Sequence, residues 1–263
     1  MDYAKVRREK KMVEDRVVVI TGGGRGLGLG MARRFGQDGA HVVIAELDPD
    51  TGSQAAALLC SEGISAVFDP LDVRLPDQSI ALVDKLVKAH GHIDVWVNNA
   101  GIAHKAPAES LSLVAWDESI AVMLSGVFYC SQAVGSQMLK QGSGVIINIA
   151  SAGGIKYIEG RVAYSVPKAG VIMLTQALGI EWGKRGVRVV GIAPGVVMTE
   201  MVQKGIDEGT ANLDAYIRRT PLRRLGTIQE IAEAVFFLAS DQASYIVGEV
   251  MRVDGGWVAY QLF

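Results

Sequence analysis

The chain has 263 residues, 49% of them hydrophobic, with a formal net charge of -2 and a pI near 6.1. This length and apolar content allow one sizeable core, and α/β chains of this size commonly form a single domain. The near-neutral charge argues against nucleic acid or an anionic membrane as the main partner. Because the start is charged and no run of about 18 apolar residues occurs, we expect a cytoplasmic protein without a signal peptide or membrane span.

Residues 1–13 form a basic arm in which Arg7, Arg8, Lys10 and Lys11 lie in close succession. No aromatic residues are interleaved with these charges, so a solvated N-terminal extension is favoured over a nucleic-acid contact. We therefore place a single catalytic domain at residues 14–263. Cys60 and Cys130 are isolated on helical patterns, and the four histidines lack the spacing of a metal site, so no disulfide or metal is predicted.

Short β-branched runs alternate with helical patterns along the whole chain. Strands that alternate with helices indicate a parallel sheet, and nearly continuous apolar strands fit a sheet that is covered on both faces. We predict a single-domain, Rossmann-like doubly wound α/β fold with roughly seven parallel strands. The predicted strands are Val17–Ile20, Val42–Ala45, Ala66–Phe68, Val95–Val97, Val145–Ile149, Val187–Ile192 and Val250–Val253.

The first predicted strand runs into a glycine turn and a helix start. The motif is Thr21-Gly22-x-x-x-Gly26-x-Gly28. Small residues in such a turn let backbone N–H groups approach a pyrophosphate at the helix N-terminus. A glycine cluster alone is usually an ordinary loop, but the strand before it and the helix after it favour a dinucleotide site.

Glu46 closes the second predicted strand about 20 residues after the glycine turn. A carboxylate at this place accepts hydrogen bonds from the adenosine ribose hydroxyls and repels a 2′-phosphate. This residue therefore favours NAD.

A tyrosine and a lysine four residues apart, Tyr164 and Lys168, lie on a predicted helix. This spacing sets a phenol beside an ammonium, and a nearby cation stabilises the phenolate of a group whose free pKa is near ~10. Ser151 ends the apolar run 145–149 and would hydrogen-bond the substrate oxygen. Taken alone, the tyrosine and lysine are more often a solvated surface pair, and only the other motifs make them a catalytic candidate.

Together with Asn98-Asn-Ala-Gly101 and Pro194-Gly195, these motifs resemble the short-chain dehydrogenase/reductase family, in that family's order and usual spacings over roughly residues 14–257. The resemblance implies hydride transfer between a nicotinamide cofactor and a secondary alcohol or ketone. It implies that Tyr164 exchanges a proton with the substrate and that Ser151 steadies the substrate oxygen. Lys168 would bind the nicotinamide ribose and keep Tyr164 acidic.

The same resemblance implies a set of cofactor contacts along the carboxyl ends of the strands. Residues 72 and 73 should border the adenine, residues 99–101 should line the nucleotide floor, and a segment from 194 to 199 should hold the nicotinamide carboxamide. The predicted cofactor-binding residues are Gly22, Arg25, Gly26, Leu27, Gly28, Glu46, Asp72, Val73, Asn99, Ala100, Gly101, Tyr164, Lys168, Pro194, Val197 and Thr199.

Arg25 and Glu46 give opposite indications about the cofactor. In similar relatives a basic residue just before the second motif glycine often accompanies NADP. A carboxylate at the ribose clashes directly with a 2′-phosphate, whereas an arginine in the turn also occurs in relatives that use NAD. We therefore predict NAD, with at least a tenfold preference in kcat/KM.

Met123 departs from the family pattern, which usually has an asparagine here that helps carry protons towards the lysine. A thioether donates no hydrogen bond. Either a water or another polar group replaces this relay, or catalysis is weakened. We favour an apolar residue that a still-active enzyme tolerates.

Three further expectations concern mobile and exposed segments. Residues 200–224 have weaker apolar periodicity and match the family's substrate loop, so a lid is favoured over a packed surface helix pair. The resemblance implies a homotetramer, with helices around Ala115–Lys140 and Ala169–Gly183 at one interface. The apolar tail Trp257–Phe263 should dock on its own core or on a neighbouring subunit, and we favour the neighbour.

Two other functions remain open. A 3-oxoacyl thioester reductase shares every motif, but such reductases generally use NADP and carry arginines that grip an acidic carrier protein, where this chain has Gly135 and Ser136. A nucleotide-sensing regulatory protein with decayed catalysis is indicated only by Met123. The leading prediction is an NAD-dependent oxidoreductase acting on a polyol, a cyclic alcohol or a hydroxy acid.

Overall fold

The computed structural model describes residues 12–209 and 211–260. Most of the basic arm predicted at residues 1–13, and the last three residues of the apolar tail, therefore lie outside the described residues.

Seven parallel strands form one sheet, which confirms the predicted fold class. They are β1 (Val17–Thr21), β2 (His41–Glu46), β3 (Ala66–Pro70), β4 (Val95–Asn98), β5 (Gly144–Ile149), β6 (Val187–Pro194) and β7 (Val250–Val253). Their order across the sheet is β3-β2-β1-β4-β5-β6-β7. Successive strands are added on one side of β1 as far as β3 and then on its other side from β4 to β7. This switch in strand order opens a crevice at the carboxyl ends of β1 and β4.

Helices connect these strands. They are α1 (Gly26–Gln37), α2 (Pro49–Ser61), α3 (Pro76–His90), α4 (Leu113–Ile120), α5 (Gly126–Gln141), α6 (Ala152–Ile155), α7 (Val162–Gly183), α8 (Glu200–Asp207), α9 (Leu213–Arg219) and α10 (Ile228–Ala239). Short 3₁₀ turns occur at Ala108–Ser110 and Asp241–Ala243.

Two apolar layers cover the faces of the sheet. On one face, residues such as Phe35 of α1 and Phe236 of α10 pack against Val18 and Ile20 of β1. On the other face, helices α3, α5 and α7 pack against alternate strand residues, among them Trp96 of β4. Because successive strand residues point to opposite faces, continuous apolar strands serve both layers.

Helices α4 and α5 form one long helix that is interrupted by a π turn at Ala121–Ser125. The backbone N–H of Gly126 bonds the carbonyl of Ala121, five residues back. Among the described residues, this helix at 113–141 is long and apolar enough to cross a membrane by length and composition. One side of this helix packs on the sheet, where Cys130 and Met138 are fully buried, and 28% of its most apolar window is buried inside the protein.

The domain begins earlier than the sequence indicated. The backbone N–H groups of Met12 and Val13 both donate to the Asp38 carboxylate, at 2.7 and 2.9 Å, and Val13 is fully buried in the core. The predicted boundary at residue 14 is therefore corrected, because residues 12 and 13 belong to the folded domain.

The described part of the apolar tail contacts its own chain, and docking of the tail on a neighbouring subunit stays a prediction. Trp257 is 3% exposed, and the Arg219 guanidinium lies 4.1 Å from its ring centre. The ammonium of Lys156 donates to the Tyr260 carbonyl at 3.1 Å. The tail thereby joins α9 to the segment that follows β5.

Candidate active site

The glycine turn lies between β1 and α1, and its glycines are required either by a close backbone contact or by a positive φ. Gly22 has a φ of +61°, and a Cβ on Gly28 would lie only 2.1 Å from the Gly22 carbonyl oxygen. Gly26 has a φ of +55° with open space where a Cβ would be. The turn is therefore a bare backbone surface at the beginning of a helix.

The N-terminus of α1 faces the crevice. Its N-cap residue is Arg25, and no side chain of the described residues caps this helix start. Gly26, Leu27 and Gly28 form the first turn, so their N–H groups and the helix dipole are available to an anion. These residues fit the pyrophosphate of a dinucleotide.

The segment after β4 packs directly on this turn. The Thr21 hydroxyl accepts hydrogen bonds from the backbone N–H groups of Asn99 and Ala100, both at 3.0 Å. The Asn99 amide donates to the carbonyls of Thr21 and Gly22, also at 3.0 Å. Gly101 follows at the surface. Residues 99–101 thus form one wall of the crevice that begins at the glycine turn.

Glu46 ends β2 beside the glycine turn. Its carboxylate accepts hydrogen bonds from the N–H groups of Gly24 at 3.2 Å and Leu47 at 2.9 Å. A negative charge is therefore held between the turn and the end of the second strand. A phosphate placed there would meet this carboxylate at close range.

The other predicted cofactor residues lie at the same edge of the sheet. Asp72 follows β3 and pairs with Arg74 at 2.6 Å, which lowers the pKa of the carboxyl. Val73 is buried against Gly126, the first residue of α5. Pro194 ends β6, Val197 forms an isolated bridge with Gly226, and Thr199 caps α8 through the N–H of Val202.

The Ser151 hydroxyl and the Tyr164 ring lie close together beyond the end of β5, since a Cβ on Gly153 would lie 3.3 Å from Ser151 Oγ and 3.6 Å from Tyr164 Cε1. Ser151 caps α6, and its Oγ accepts the backbone N–H of Gly153 at 3.0 Å. Tyr164 is half-buried on the first turns of α7. Burial raises the pKa of the Tyr164 phenol above its ordinary value, whereas a hydrogen bond with the Ser151 hydroxyl lowers it.

Lys168 lies one turn further along α7 and is 4% exposed. Its ammonium donates to the Ile149 carbonyl at 2.6 Å and lies 5.9 Å from the centre of the Tyr164 ring. Burial lowers the pKa of Lys168 from 10.5 to about 8. The lysine is therefore fixed to the strand that precedes Ser151.

Arg161 is a cation that sequence reasoning did not include in the site. It precedes α7, and its carbonyl accepts the backbone N–H of Tyr164 at 3.0 Å. Its positive charge lowers the pKa of Tyr164. The sequence carried a signal for it, because residues three apart on a helix lie on the same side.

Met123 lies in the π turn, fully buried. A Cβ on Gly101 would be 3.7 Å from its sulfur, so the thioether lies under the segment that follows β4. The neighbouring Leu124 packs on Gly170 of α7, two residues beyond Lys168. The π turn therefore lies between residues 99–101, which form one wall of the crevice, and α7, which carries Tyr164.

An open cleft of about 500 Å³ separates α8 from the start of α10. It is lined by Met198, Thr199, Glu200, Gln203, Lys204, Asp207 and Ile228. In the described parts of the chain, no group of three or more His, Cys, Asp or Glu side chains could hold a metal ion.

The comparisons with known proteins agree with this architecture. A protein family described as enoyl-(acyl carrier protein) reductase matches residues 22–258, which is most of the chain. The chain belongs to the short-chain dehydrogenase/reductase family. It is therefore an oxidoreductase of that family, as its motifs indicated.

Individual relatives are similar over nearly their whole length. The chain is 38% identical to a 3-oxoacyl-[acyl-carrier-protein] reductase of Chlamydia muridarum, covering 93% of this chain and 98% of that protein. It is also 38% identical to the D-threitol dehydrogenase of Mycolicibacterium smegmatis, covering 93% and 94%. A crystal structure of a gluconate 5-dehydrogenase from Burkholderia cenocepacia, in complex with NADP and tartrate, superposes with a TM-score of 0.90 at 34% identity and covers 96% and 99%.

Proposed function

We propose that this protein is an NAD-dependent oxidoreductase that interconverts a secondary alcohol and a ketone, with Tyr164 as the acid and base. The observation that carries the proposal is that Ser151, Tyr164 and Lys168 meet at the carboxyl edge that also holds the glycine turn. A Cβ on Gly153 would lie 3.3 Å from Ser151 Oγ and 3.6 Å from Tyr164 Cε1, and Lys168 is bonded to the Ile149 carbonyl. A dinucleotide lying along that edge would bring its nicotinamide to these side chains. When bound, the nicotinamide supplies or accepts the hydride.

The roles of the three side chains follow from their chemistry. Tyr164 gives its proton to a ketone oxygen or takes one from an alcohol. Ser151 donates a hydrogen bond to the same oxygen and fixes the distance to Tyr164. Lys168, whose amine is buried and has a lowered pKa, holds a proton close to neutral pH and would bind the nicotinamide ribose.

Replacing the proton donor tests this assignment. Tyr164→Phe should lower kcat by ~10² or more, the usual size of general acid–base catalysis, because the ring stays and only the hydroxyl is lost. The Tm of Tyr164→Phe should stay close to that of the wild type and serves as the control for folding. A Tyr164→Phe enzyme with near wild-type turnover would remove this residue from the mechanism.

The cofactor preference rests on Glu46. Its carboxylate lies 3.2 Å from the backbone nitrogen of Gly24, so a 2′-phosphate in that place would face a fixed negative charge. The Burkholderia relative was crystallised with NADP, which makes the comparison of the two cofactors decisive. We expect kcat/KM with NAD to exceed that with NADP by at least tenfold, and equal or better use of NADP would overturn the preference.

The substrate is a polyol, a cyclic alcohol or a hydroxy acid. Arg161 favours a hydroxy acid, because its cation stands close enough to Tyr164 to lower the phenol pKa and would attract a carboxylate on the substrate. The lid proposed at residues 200–224 consists of α8 and α9. The cleft between α8 and Ile228 leaves α8 room to move towards the body of the protein.

A 3-oxoacyl thioester reductase is the second candidate, since one relative at 38% identity carries that name. The exposed position on this part of α5 is Ser136, and a serine there lacks the cation that such reductases use to bind an acidic carrier protein, which argues against carrier-protein recognition. Activity assays distinguish these functions. They use a panel of alcohols, ketones and an acetoacetyl thioester, each run with both nicotinamides. Faster thioester reduction with NADPH would promote this candidate, and tight NADH binding without any turnover would indicate a regulatory protein.

We also propose a homotetramer. Along α7, Val166, Met173 and Ile180 recur every seven residues and are 43%, 63% and 78% exposed. Leu113 and Val114 at the start of α4 are 79% and 69% exposed. Apolar faces of this kind on neighbouring helices favour association between copies of the chain.

A further inference from the structure

Five buried polar or indole side chains form a continuous hydrogen-bonded chain beneath the candidate active site. The Trp96 indole donates to Asn98 Oδ1 at 2.9 Å, and the Asn98 amide donates to Ser131 Oγ at 2.9 Å and to Asn148 Oδ1 at 2.8 Å. The Asn148 amide then donates to Thr175 Oγ1 at 2.9 Å. None of the five is more than 3% exposed.

The direction of this chain follows from its first member. An indole N–H only donates, so Asn98 must turn its oxygen towards Trp96 and its nitrogen towards Asn148. The same reasoning gives Asn148 a nitrogen that faces Thr175. The Thr175 hydroxyl accepts this hydrogen bond and donates one to the Val171 carbonyl at 2.7 Å. The chain therefore ends on the backbone of α7.

Buried amides and hydroxyls lower the stability of the fold unless every donor is paired, whereas apolar residues would fill the same space without this desolvation penalty. Here the two asparagines are register partners on β4 and β5, and the outer hydroxyls come from α5 and α7. The network thus crosses the sheet face from one helix to another. What it links is more informative than its mere presence in a core.

Two adjacent residues of β5 grip α7 at two places. The Asn148 side chain binds Thr175, and the Ile149 carbonyl binds Lys168. Positions 168 and 175 are seven apart, about two helical turns, so both lie on the same side of α7. A slip of one residue would rotate the helix by about 100° and carry Tyr164 away from Ser151, which follows the same strand.

We propose that Asn148 and Thr175 are positioning residues that hold α7 in the register required by Tyr164 and Lys168. They touch neither substrate nor cofactor and act on the rate only through those two side chains. The proposal rests on the proposed function, because it takes Tyr164 and Lys168 to be the reactive groups.

Thr175→Val tests the proposal, since it keeps the shape of the side chain and removes the hydroxyl. We expect kcat to fall tenfold or more with little change in KM for the alcohol, and the pH profile of kcat to shift. Thr175→Ser restores the hydroxyl and should return both quantities to within about twofold of wild type.

Ser131→Ala is the matched control. It removes a bond to the same network from α5 and likewise leaves one buried N–H group unpaired. Both Thr175→Val and Ser131→Ala should lower Tm to a similar extent, but only Thr175→Val should change kcat and the pH profile. If Thr175→Val loses only Tm and keeps wild-type kinetics, the network is merely structural and the proposal is wrong.

Two additions keep the test decisive. If Thr175→Val does not fold, Thr175→Ala also removes the hydroxyl that accepts from Asn148, and wild-type kcat and pH dependence in that variant would contradict the proposal. Hydrogen exchange of residues 164–168 without cofactor should accelerate in Thr175→Val and not in Ser131→Ala. This readout does not depend on turnover, so it separates a failure of the proposal from a failure of the proposed function.

Discussion

At the scale of single residues, the charges around Tyr164 differ from the simple picture of one lysine beside one phenol. Lys168 directs its ammonium to the Ile149 carbonyl, and the cation that lowers the phenol pKa is Arg161. Without a bound cofactor, burial still raises the Tyr164 pKa. That Lys168 keeps Tyr164 acidic therefore stays a prediction for the cofactor complex.

Arg161→Gln should change the pH dependence of the reaction. Loss of the cation raises the Tyr164 pKa further, and alcohol oxidation needs the phenolate, so the acid limb of kcat/KM should move to higher pH by up to about one unit. Arg185→Gln, beyond the opposite end of α7, makes the same charge change and should leave the profile in place. An unmoved acid limb in Arg161→Gln would contradict the electrostatic role.

Lys168→Met should stabilise the cofactor-free protein while abolishing activity. The folded pKa of about 8 lies below the ordinary 10.5, so the unfolded chain binds the proton more tightly and wild-type stability rises between pH 8 and 10.5. Below pH 8 the buried charge costs roughly 3 kcal/mol, partly offset by about 1 kcal/mol from the bond to Ile149.

The measurement is Tm as a function of pH. Lys168→Met should exceed wild type by several degrees at pH 7, and the difference should shrink as the pH rises through 8 to 10. The exposed control Lys184→Met should show no such trend. A Lys168→Met protein that is less stable than wild type at every pH would show that the hydrogen bond outweighs the buried charge.

At the scale of elements, the π turn at Ala121–Ser125 lies between two parts of the candidate active site. The turn is a local interruption of a long helix, and such π turns frequently occur at functional sites. Here it places the buried Met123 next to Gly101 and sets Leu124 against α7 at Gly170. Its packing therefore connects the crevice wall formed by residues 99–101 to α7, which carries Tyr164.

Met123→Asn tests the proton relay at this turn. An amide in this buried apolar place should lower Tm, and we expect kcat at each pH to stay within about twofold of wild type, because the enzyme tolerates the apolar residue. Met123→Leu controls for the change in packing. A higher kcat with a displaced pH profile in Met123→Asn alone would show that the relay limits the wild-type enzyme.

At the scale of the whole molecule, the parallel sheet assembles the site. Segments far apart in sequence meet at one edge because every strand presents its carboxyl end there. The long helix at 113–141 and the stripe on α7 leave apolar surface at the periphery. A second copy of the chain is the partner that we propose for this surface.

Met173→Glu should disrupt that assembly, because it places a charge in the middle of the α7 stripe. Light scattering at micromolar concentration should give a tetrameric mass for the wild type and a smaller one for Met173→Glu. Leu58→Glu, on an exposed part of α2, is the control and should remain tetrameric. A monomeric wild type under the same conditions would refute the assembly.

The sequence by itself determined the element order, the parallel sheet and the position of each motif. These features are local, since β-branched runs make strands and the glycines at 22, 26 and 28 permit one kind of turn. All seven strands were predicted to within two residues at each end. The family followed from the same short motifs.

Only the tertiary structure decided the contacts between distant segments. Asn98, Asn148 and Thr175 are separated by 50 and 27 residues, and nothing local to any of them indicates the others. The bond from Lys168 to Ile149 and the docking of Trp257 on its own chain are of the same kind. Local propensity acts over a few residues, whereas these partners are chosen by the packing of whole helices on the sheet.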